Sequence, residues 1–230
     1  MRARFLAGAV ASLLFTLAVV AVFFSLANLA GAPVRMAMAE WEVQQRPGSE
    51  DDWQRAFSRL RLARRLNPLS ADHSADLGRL LEWRAWQVAP GSRDYTWYRE
   101  RADKMYMEAV NKRPSWGFGW AHLAENKFLL GNRGESFYFA LDKAMTLGPW
   151  EPGVQRKVIW MGMASWPDLS ETMHSNIRDT VQRAVDLSIY TDEIVKLAIQ
   201  YDWTNELMPM LRTQRAQNIF DYVNKRIQSR

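Results

Sequence analysis

Cysteine is absent from this sequence of 230 residues. Without thiols the chain forms neither structural disulfides nor thiolate metal sites, although the absence is compatible with any cellular compartment. Histidine is scarce as well, with three residues at 73, 122 and 174. Only His174 has a glutamate three positions before it, Glu171, whereas a di-iron site of that kind needs two such motifs and two further carboxylates from facing helices. We therefore expect no metal site and no cofactor.

Recognisable catalytic motifs are missing too. The sequence has no glycine-rich phosphate loop, no Gly-x-Ser-x-Gly elbow and no His-Glu-x-x-His motif. The acidic residues Glu50, Asp51 and Asp52 stand at the start of a predicted helix, where the helix dipole explains them without catalysis. The net charge is +5, but Arg2 and Arg4 supply two of these charges and no dense Lys/Arg stripe follows. The sequence predicts a protein that is neither an enzyme nor a nucleic-acid binder.

Charge is also absent from a long N-terminal stretch. Residues Phe5 to Ala27 contain 23 positions without a charged side chain. At about 1.5 Å per helical residue this run spans roughly 34 Å, enough to cross a bilayer. Residues 1–32 are thus predicted to be a cytoplasmic tip and a transmembrane anchor.

The orientation of this anchor follows from the charges that flank it. Arg2 and Arg4 precede the run, which favours a cytoplasmic N-terminus, although Arg35 on the far side weakens the asymmetry. In a bacterium, this predicts a single-pass inner-membrane protein whose C-terminal domain is periplasmic. A cleaved signal peptide is the alternative, because residues 37–39 read Ala-Met-Ala, but a typical signal core of about 7 to 15 residues is shorter than this run.

Beyond the anchor the pattern is helical. Residues 33–50 contain two prolines and a glycine and are predicted to be a membrane-proximal connector. Residues 51–166 show apolar side chains at three- and four-residue steps in helices that end at proline, and we find no alternating strand pattern. Residues 167–230 continue as amphipathic helices that we expect to cap the preceding ones.

One spacing of small and large residues recurs in this helical region. Its first two copies lie 46 residues apart, and glycine or alanine at these places removes bulk where helices cross. The copies are Ala56, Leu60, Ala63 and Pro68, then Ala102, Tyr106, Ala109 and Pro114, and a partial third has Leu141, Ala144 and Pro149.

The spacing resembles the tetratricopeptide repeat (TPR), most completely at Trp120, Leu123, Ala124, Leu141, Ala144 and Pro149. The resemblance implies an all-α fold, with the transmembrane helix followed by a TPR-like α-solenoid. It also implies a partner-binding groove lined by the first helix of each unit. The residues that would line this groove are Arg79, Glu82, Trp83, Phe118, Glu125 and Phe128.

A narrower resemblance covers about 45 residues of the chain. Two stretches resemble the VpsP family of polysaccharide biosynthesis proteins: residues 112–131, KRPSWGFGWAHLAENKFLLG, and residues 140–155, ALDKAMTLGPWEPGVQ. The N-terminal anchor and the overall length are also similar to those of this family. This resemblance implies an accessory role in making or exporting an exopolysaccharide. The expected partners are polysaccharide-assembly or other envelope proteins.

The eleven tryptophans leave a second function open. Trp53, Trp120 and Trp160 lie on apolar helical faces and are predicted to be core residues. Tryptophans in connectors or at helix starts can stack on sugar rings, so one or two of them are candidates for binding glycan. The alternative is therefore a carbohydrate-binding or carbohydrate-modifying protein of the same pathway, which would use acidic residues and tryptophans around the inserted segment 84–97. Outside the core positions, the candidates in connectors or at helix starts are Trp41, Trp97, Trp116 and Trp150.

Overall fold

The computed structural model describes residues 2–187 and 190–229, and within these ranges the chain is helical and contains no strand. The predicted all-α class, with one long apolar helix at the N-terminus, is confirmed. The α-helices of the described residues are α1 (Arg2–Gln44), α2 (Glu50–Leu66), α3 (Ala71–Ala85), α4 (Arg93–Lys112), α5 (Gly117–Leu129), α6 (Glu135–Leu147), α7 (Pro152–Ala164), α8 (Glu171–Leu187), α9 (Thr191–Gln200), α10 (Thr204–Leu207) and α11 (Gln214–Gln228).

Helix α1 is long and apolar enough to span a membrane. Its 43 residues correspond to about 65 Å, roughly twice the thickness of the hydrocarbon core of a bilayer. The side chains described between residues 6 and 26 are exposed, except for the half-buried Phe24, and Ala27 is the first to be buried. The apolar segment and the packed segment are therefore consecutive parts of one helix.

The segment predicted to be a connector, 33–50, is mostly helical. Helix α1 continues through Pro33 to Gln44, and only residues 45–49 form a turn. Val34, Met38 and Trp41 are buried. Their burial against the folded domain outweighs the backbone hydrogen bond that the proline removes. Proline and glycine in the sequence therefore marked the turn at Pro47–Gly48 but not the helix before it.

The helix ends agree with the sequence prediction. Ser49 forms a capping box with Asp52 at the start of α2, and α2 ends at Leu66, with Asn67 as its C-cap directly before Pro68. Helices α4 and α6 likewise end one or two residues before Pro114 and Pro149. The proline-ended helices expected from the sequence are therefore present.

The chain divides into two compact units, Met1–Pro114 and Ser115–Arg230. This division differs from the boundaries drawn from the sequence, which placed residues 51–166 together and 167–230 apart. In the first unit, α1 and α3 run parallel. Arg35 contacts Asp76 at 3.1 Å, and further along both helices Arg79 contacts Glu42 at 3.4 Å.

Helices α2 and α4 pack antiparallel to α3. The Trp53 indole donates to the Leu80 carbonyl at 2.9 Å, and Lys112 near the end of α4 reaches Ser74 near the start of α3. A Cβ atom on Gly78 of α3 would lie 2.8 Å from the Tyr106 ring of α4, so a side chain larger than hydrogen has no room there. The small residues of the repeated spacing therefore allow close approach of helices, as predicted.

The second unit is built from neighbouring helices in the same way. Helices α5 and α6 are antiparallel, with Gly117 at the start of α5 packed against the backbone of Gly148 after α6. Gly162 of α7 provides space for Ile177 of α8. Helices α8 and α9 follow, and α11 packs against α9. The face predicted for α8 is buried, with Ile177, Val181, Ala184 and Val185 all in the core.

Candidate partner-binding surfaces

Trp83, a predicted groove residue, lies in an aromatic cluster of the first unit. Its exposed fraction is 7%. Its ring packs edge-on against Trp41 of α1 at a centroid distance of 6.1 Å and against Trp86 at 5.0 Å. Trp41 is itself 7% exposed, so this contact ties α1 to α3.

Glu82 is the centre of a buried polar network. Its carboxylate accepts hydrogen bonds from Arg99 at 3.0 Å and from the Tyr106 hydroxyl at 2.5 Å. The Arg99 side chain is 1% exposed. A buried carboxylate needs such partners, because an isolated charge is costly away from water. Within the first unit, Glu82 therefore joins α3 to α4.

Arg79 is the most accessible of the three predicted groove residues in α3. Its side chain is 24% exposed and pairs with Glu42, whose side chain is 66% exposed. Such an exposed pair contributes little to stability and can be exchanged for contacts with a partner. Arg79 is therefore available for recognition in a way that Glu82 and Trp83 are not.

The predicted groove residues of the second unit also differ in exposure. Phe118 is half-buried and packs edge-on against His122 at a centroid distance of 4.4 Å. Glu125 forms an ion pair of 2.5 Å with Lys157 of α7, and its side chain is 13% exposed. Phe128 is 8% exposed and contacts Trp160 of α7 at a centroid distance of 5.1 Å. Glu125 and Phe128 thus join α5 to α7, and Phe118 keeps an accessible surface.

The six predicted residues are divided between the two units. Arg79, Glu82 and Trp83 belong to the first unit, while Phe118, Glu125 and Phe128 belong to the second. Their role in partner binding stays a prediction.

Exposed apolar side chains identify a surface that the sequence analysis missed. Met36 and Val43 of α1 are 74% and 86% exposed, and they stand seven residues apart on the helical face opposite the buried Val34, Met38 and Trp41. The seven-residue spacing from Leu29 through Met36 to Val43 is visible in the sequence, but it crosses the predicted boundary between the anchor, which includes Leu29, and the connector, which includes Met36 and Val43. A large exposed apolar surface is typical of a binding site.

A groove between α1 and α2 lies beside this face. Its volume is about 590 Å³, and its walls combine Trp41 and Val34 with charged side chains of both signs, Glu40, Arg46 and Arg55 among them. The volume is in the range of small-ligand sites.

The loop after α3 and the start of α4 each expose one tryptophan. Trp86 and Trp97 are 60% and 44% exposed, and the Arg101 guanidinium lies 3.8 Å from the Trp97 ring centre. This loop, residues 86–92, is shorter than the inserted segment read from the sequence, because α4 already begins at Arg93. Of the tryptophans predicted to be core residues, Trp53 and Trp120 are buried and Trp160 is half-buried.

His73 is a buried histidine in the first unit. It is 1% exposed, and neither ring nitrogen has a hydrogen-bond partner among the described residues. Burial lowers the pKa of His73, and the nearby Arg35 cation lowers it further. The lowered pKa favours the neutral imidazole of His73 in the folded chain.

His174, the histidine of the Glu-x-x-His motif, has a local partner. Its Nε2 lies 2.9 Å from the Trp166 carbonyl oxygen, and its ring stacks near Trp166 at 4.0 Å between centroids. These contacts connect the start of α8 to the preceding 3₁₀ turn.

Comparison with known proteins adds no functional assignment: no family model matches the chain, and no curated protein matches it significantly.

Proposed function

We propose that this protein is a noncatalytic accessory protein of surface-polysaccharide biosynthesis or export, anchored in the bacterial inner membrane and acting through protein–protein contacts. The observation that carries this proposal is the continuity of α1, which passes from an exposed apolar segment into the core of the first unit without a break. Because the apolar segment and the first unit share this helix, the binding surfaces of the first unit are held at a fixed distance from the bilayer. A scaffold that positions partner proteins beside a membrane needs such a fixed distance.

The orientation in the proposal follows the charges at the N-terminus. Arg2 and Arg4 favour a cytoplasmic N-terminus, and the helical units would then lie in the periplasm. The kinship with TPR proteins is supported by the antiparallel pairs α3/α4 and α5/α6, each with a glycine at the helix contact. The polysaccharide pathway rests on the resemblance of residues 112–155 to the VpsP family.

The residues of this scaffold that are best placed to bind a partner are the exposed ones. Met36, Val43 and Trp86 offer apolar area, and Arg79 offers a charge that a partner can engage. Val43 and Trp86 lie at the C-terminal ends of two adjacent parallel helices, α1 and α3. Among the predicted groove residues of the second unit, Phe118 is the one with apolar surface to offer.

A deletion strain of the source bacterium tests this function. We expect loss of the gene to lower surface polysaccharide, and the full chain to restore it. Val43→Arg should not restore it, because the charge blocks an apolar contact without entering the core. Ser58→Arg is the matched control, since Ser58 is exposed on α2 and the same charge is added. Normal polysaccharide in the deletion strain would contradict the proposal.

A second candidate, direct glycan binding, is favoured by one observation, the exposed indoles of Trp86 and Trp97. Trp83 is not a suitable probe, because its replacement would open the aromatic cluster. We expect a glycan binder to lose affinity on Trp97→Ala and Trp86→Ala but not on Tyr222→Ala, a control at an aromatic residue that is 63% exposed in the other unit. Glycan titration of the full chain in detergent measures this difference.

A further inference from the structure

One end of the first unit lies next to the apolar segment of α1. Helix α3 runs parallel to α1, with Gly31 close to the His73 ring and Arg35 paired with Asp76. These two pairs relate α1 and α3 by an offset of 41 or 42 residues. The start of α3 at Ala71 is therefore level with about Leu29 or Ala30 of α1.

The turn before α3 and the ends of two other helices lie at this same end. Helices α2 and α4 are antiparallel to α3, so their C-terminal residues accompany its N-terminus. Arg64 of α2 contacts Glu108 of α4 at 2.6 Å, and Arg113 contacts Asp72 at 3.7 Å. We call this end, formed by residues 61–74 and 108–114, the anchor-proximal face.

The height of this face relative to a bilayer follows from helix geometry. If the hydrocarbon core begins after Arg4, about 20 residues at roughly 1.5 Å each bring α1 to its far side near Phe24. Leu69 lies in the turn directly before α3, so it is near the level of the α3 start, beside Leu29 and Ala30 of α1. That level falls in the headgroup region, which lies directly outside the hydrocarbon core.

The side chains on the anchor-proximal face suit such a location. Leu62 and Leu69 are 48% and 74% exposed, although water would be an unfavourable environment for both. Arg61 and Arg65 are also exposed. The cations Arg61, Arg64, Arg65, Lys112 and Arg113 outnumber the anions Asp72 and Glu108 by three on this face, five against two.

The helix dipole alone favours basic residues at the ends of α2 and α4, so charge by itself does not identify a ligand. The combination of exposed leucines with the exposed cations Arg61 and Arg65 at headgroup height identifies the ligand more specifically. Interfacial segments of this composition bind anionic lipid surfaces by apolar insertion together with electrostatic attraction.

We propose that the anchor-proximal face of the first unit binds anionic lipid headgroups, with Leu69 inserted between them and Arg61 and Arg65 paired with their phosphates. This inference rests on the membrane insertion of α1 in the proposed function. It adds a second attachment to the bilayer, which would fix the rotation of the first unit about the α1 axis.

Single-cysteine labelling tests this contact, and no native cysteine has to be removed first, since the chain has none. The full chain carrying Leu69→Cys is labelled with an environment-sensitive fluorophore. It is then reconstituted in phosphatidylcholine vesicles with increasing phosphatidylglycerol, together with headgroup-labelled quencher lipid. Val43→Cys is the matched control, because Val43 is 86% exposed and lies near the other end of α1's packed segment.

We expect quenching at Leu69→Cys to rise with phosphatidylglycerol and to weaken in high salt, while Val43→Cys stays unquenched. Arg61→Glu and Arg65→Glu should each raise the phosphatidylglycerol fraction needed for half-maximal quenching by about fivefold. Arg93→Glu, at the opposite end of the unit, should leave it unchanged. Circular dichroism checks that each variant is folded. If Arg61→Glu or Arg65→Glu does not fold, Arg61→Gln or Arg65→Gln is used in its place.

Alkaline extraction and flotation of the same vesicles separate the two proposals. If the chain is extracted, the anchoring in the proposed function fails. If the chain resists extraction but Leu69→Cys is not quenched, the lipid contact is overturned and the anchor stands. Equal quenching with and without phosphatidylglycerol overturns the preference for anionic headgroups.

Discussion

Gly117 begins α5 where that helix meets the end of α6, and replacing it with alanine tests the close packing of this pair. A Cβ atom there would lie 2.5 Å from the Gly148 amide nitrogen, 2.7 Å from its Cα and 2.8 Å from the Leu147 carbonyl carbon. Ordinary contacts need about 3.5 to 4.0 Å, and all three obstacles are backbone atoms that cannot rotate away. The two helices would have to separate by roughly 1 Å.

Overpacking of this kind costs typically 1 to 3 kcal/mol, and a rigid backbone obstacle places Gly117→Ala near the upper end, at about 2 to 3 kcal/mol. Little is regained through helix propensity, because the residue is the first of the helix. For a chain of this size we expect the melting temperature to fall by about 4 to 12 °C. Thermal unfolding of the full chain in detergent, followed by circular dichroism, measures the change.

Gly153→Ala is the matched control. Gly153 is also near the start of a helix, but its nearest neighbour for an added Cβ is the Phe118 ring at 3.7 Å, an ordinary contact. The control should melt at the same temperature as the parent or slightly higher, because alanine favours the helix. If Gly117→Ala also melts at the parent temperature, the close approach of α5 and α6 is refuted.

Three further variants probe helix packing and the polar contacts between helices. Glu82→Ala should destabilise the chain by about 3 to 5 kcal/mol, because it leaves the Arg99 charge buried without its carboxylate; chemical denaturation should reveal this loss in the absence of any partner. Burial raises the pKa of Glu108, but hydrogen bonds from arginine and lysine outweigh it and hold the pKa at about 2, below the usual value near 4.5. A carboxylate whose pKa is lowered by folding stabilises the folded chain at pH values above its unfolded-state pKa, and this stabilisation is lost as the pH falls through the folded-state pKa. The difference in the free energy of unfolding between the parent and Glu108→Gln should therefore be largest above about pH 4.5 and disappear as the pH falls to about 2. Gly162→Ala should lower the melting temperature by less than Gly117→Ala, because the obstacle is the Ile177 side chain, which can change rotamer; equal losses would contradict this ranking.

The sequence predicted the helices well where local signals were strong. Proline after α2, α4 and α6, the capping residues Ser49 and Asp52, and the apolar face of α8 all correspond to the structure. Local periodicity and capping act within a few residues, which is why they are visible in one sequence. The close approach of Tyr106 to Gly78 agrees with the expectation that small residues remove bulk where helices cross, although this particular contact was not predicted.

The predicted groove shows what a repeat register leaves undetermined. The register predicts on which face of its helix a residue lies. Whether that face is exposed to solvent depends on which other helix packs against it. Glu82 is buried because Arg99 and Tyr106 approach from α4, and Phe128 because Trp160 approaches from α7. Neither approach could be read from periodicity.

The connector was the clearest departure from expectation. Pro33 was read as a break, yet Met38 and Trp41 bury enough apolar surface to hold the helix through it. Tertiary packing overrode a local signal there, and the exposed Met36 and Val43 were missed as a consequence.

Amide hydrogen exchange of the full chain in a membrane mimetic tests most directly the central claim that the apolar segment and the first unit share one helix. The account predicts that amides 35–44 are protected about as strongly as those of α3. Between the anchor and α2, fast exchange should occur only in residues 45–49. Exchange across 35–44 at the rate of an unstructured peptide would contradict it, because the anchor would then be joined to the domain by a flexible connector.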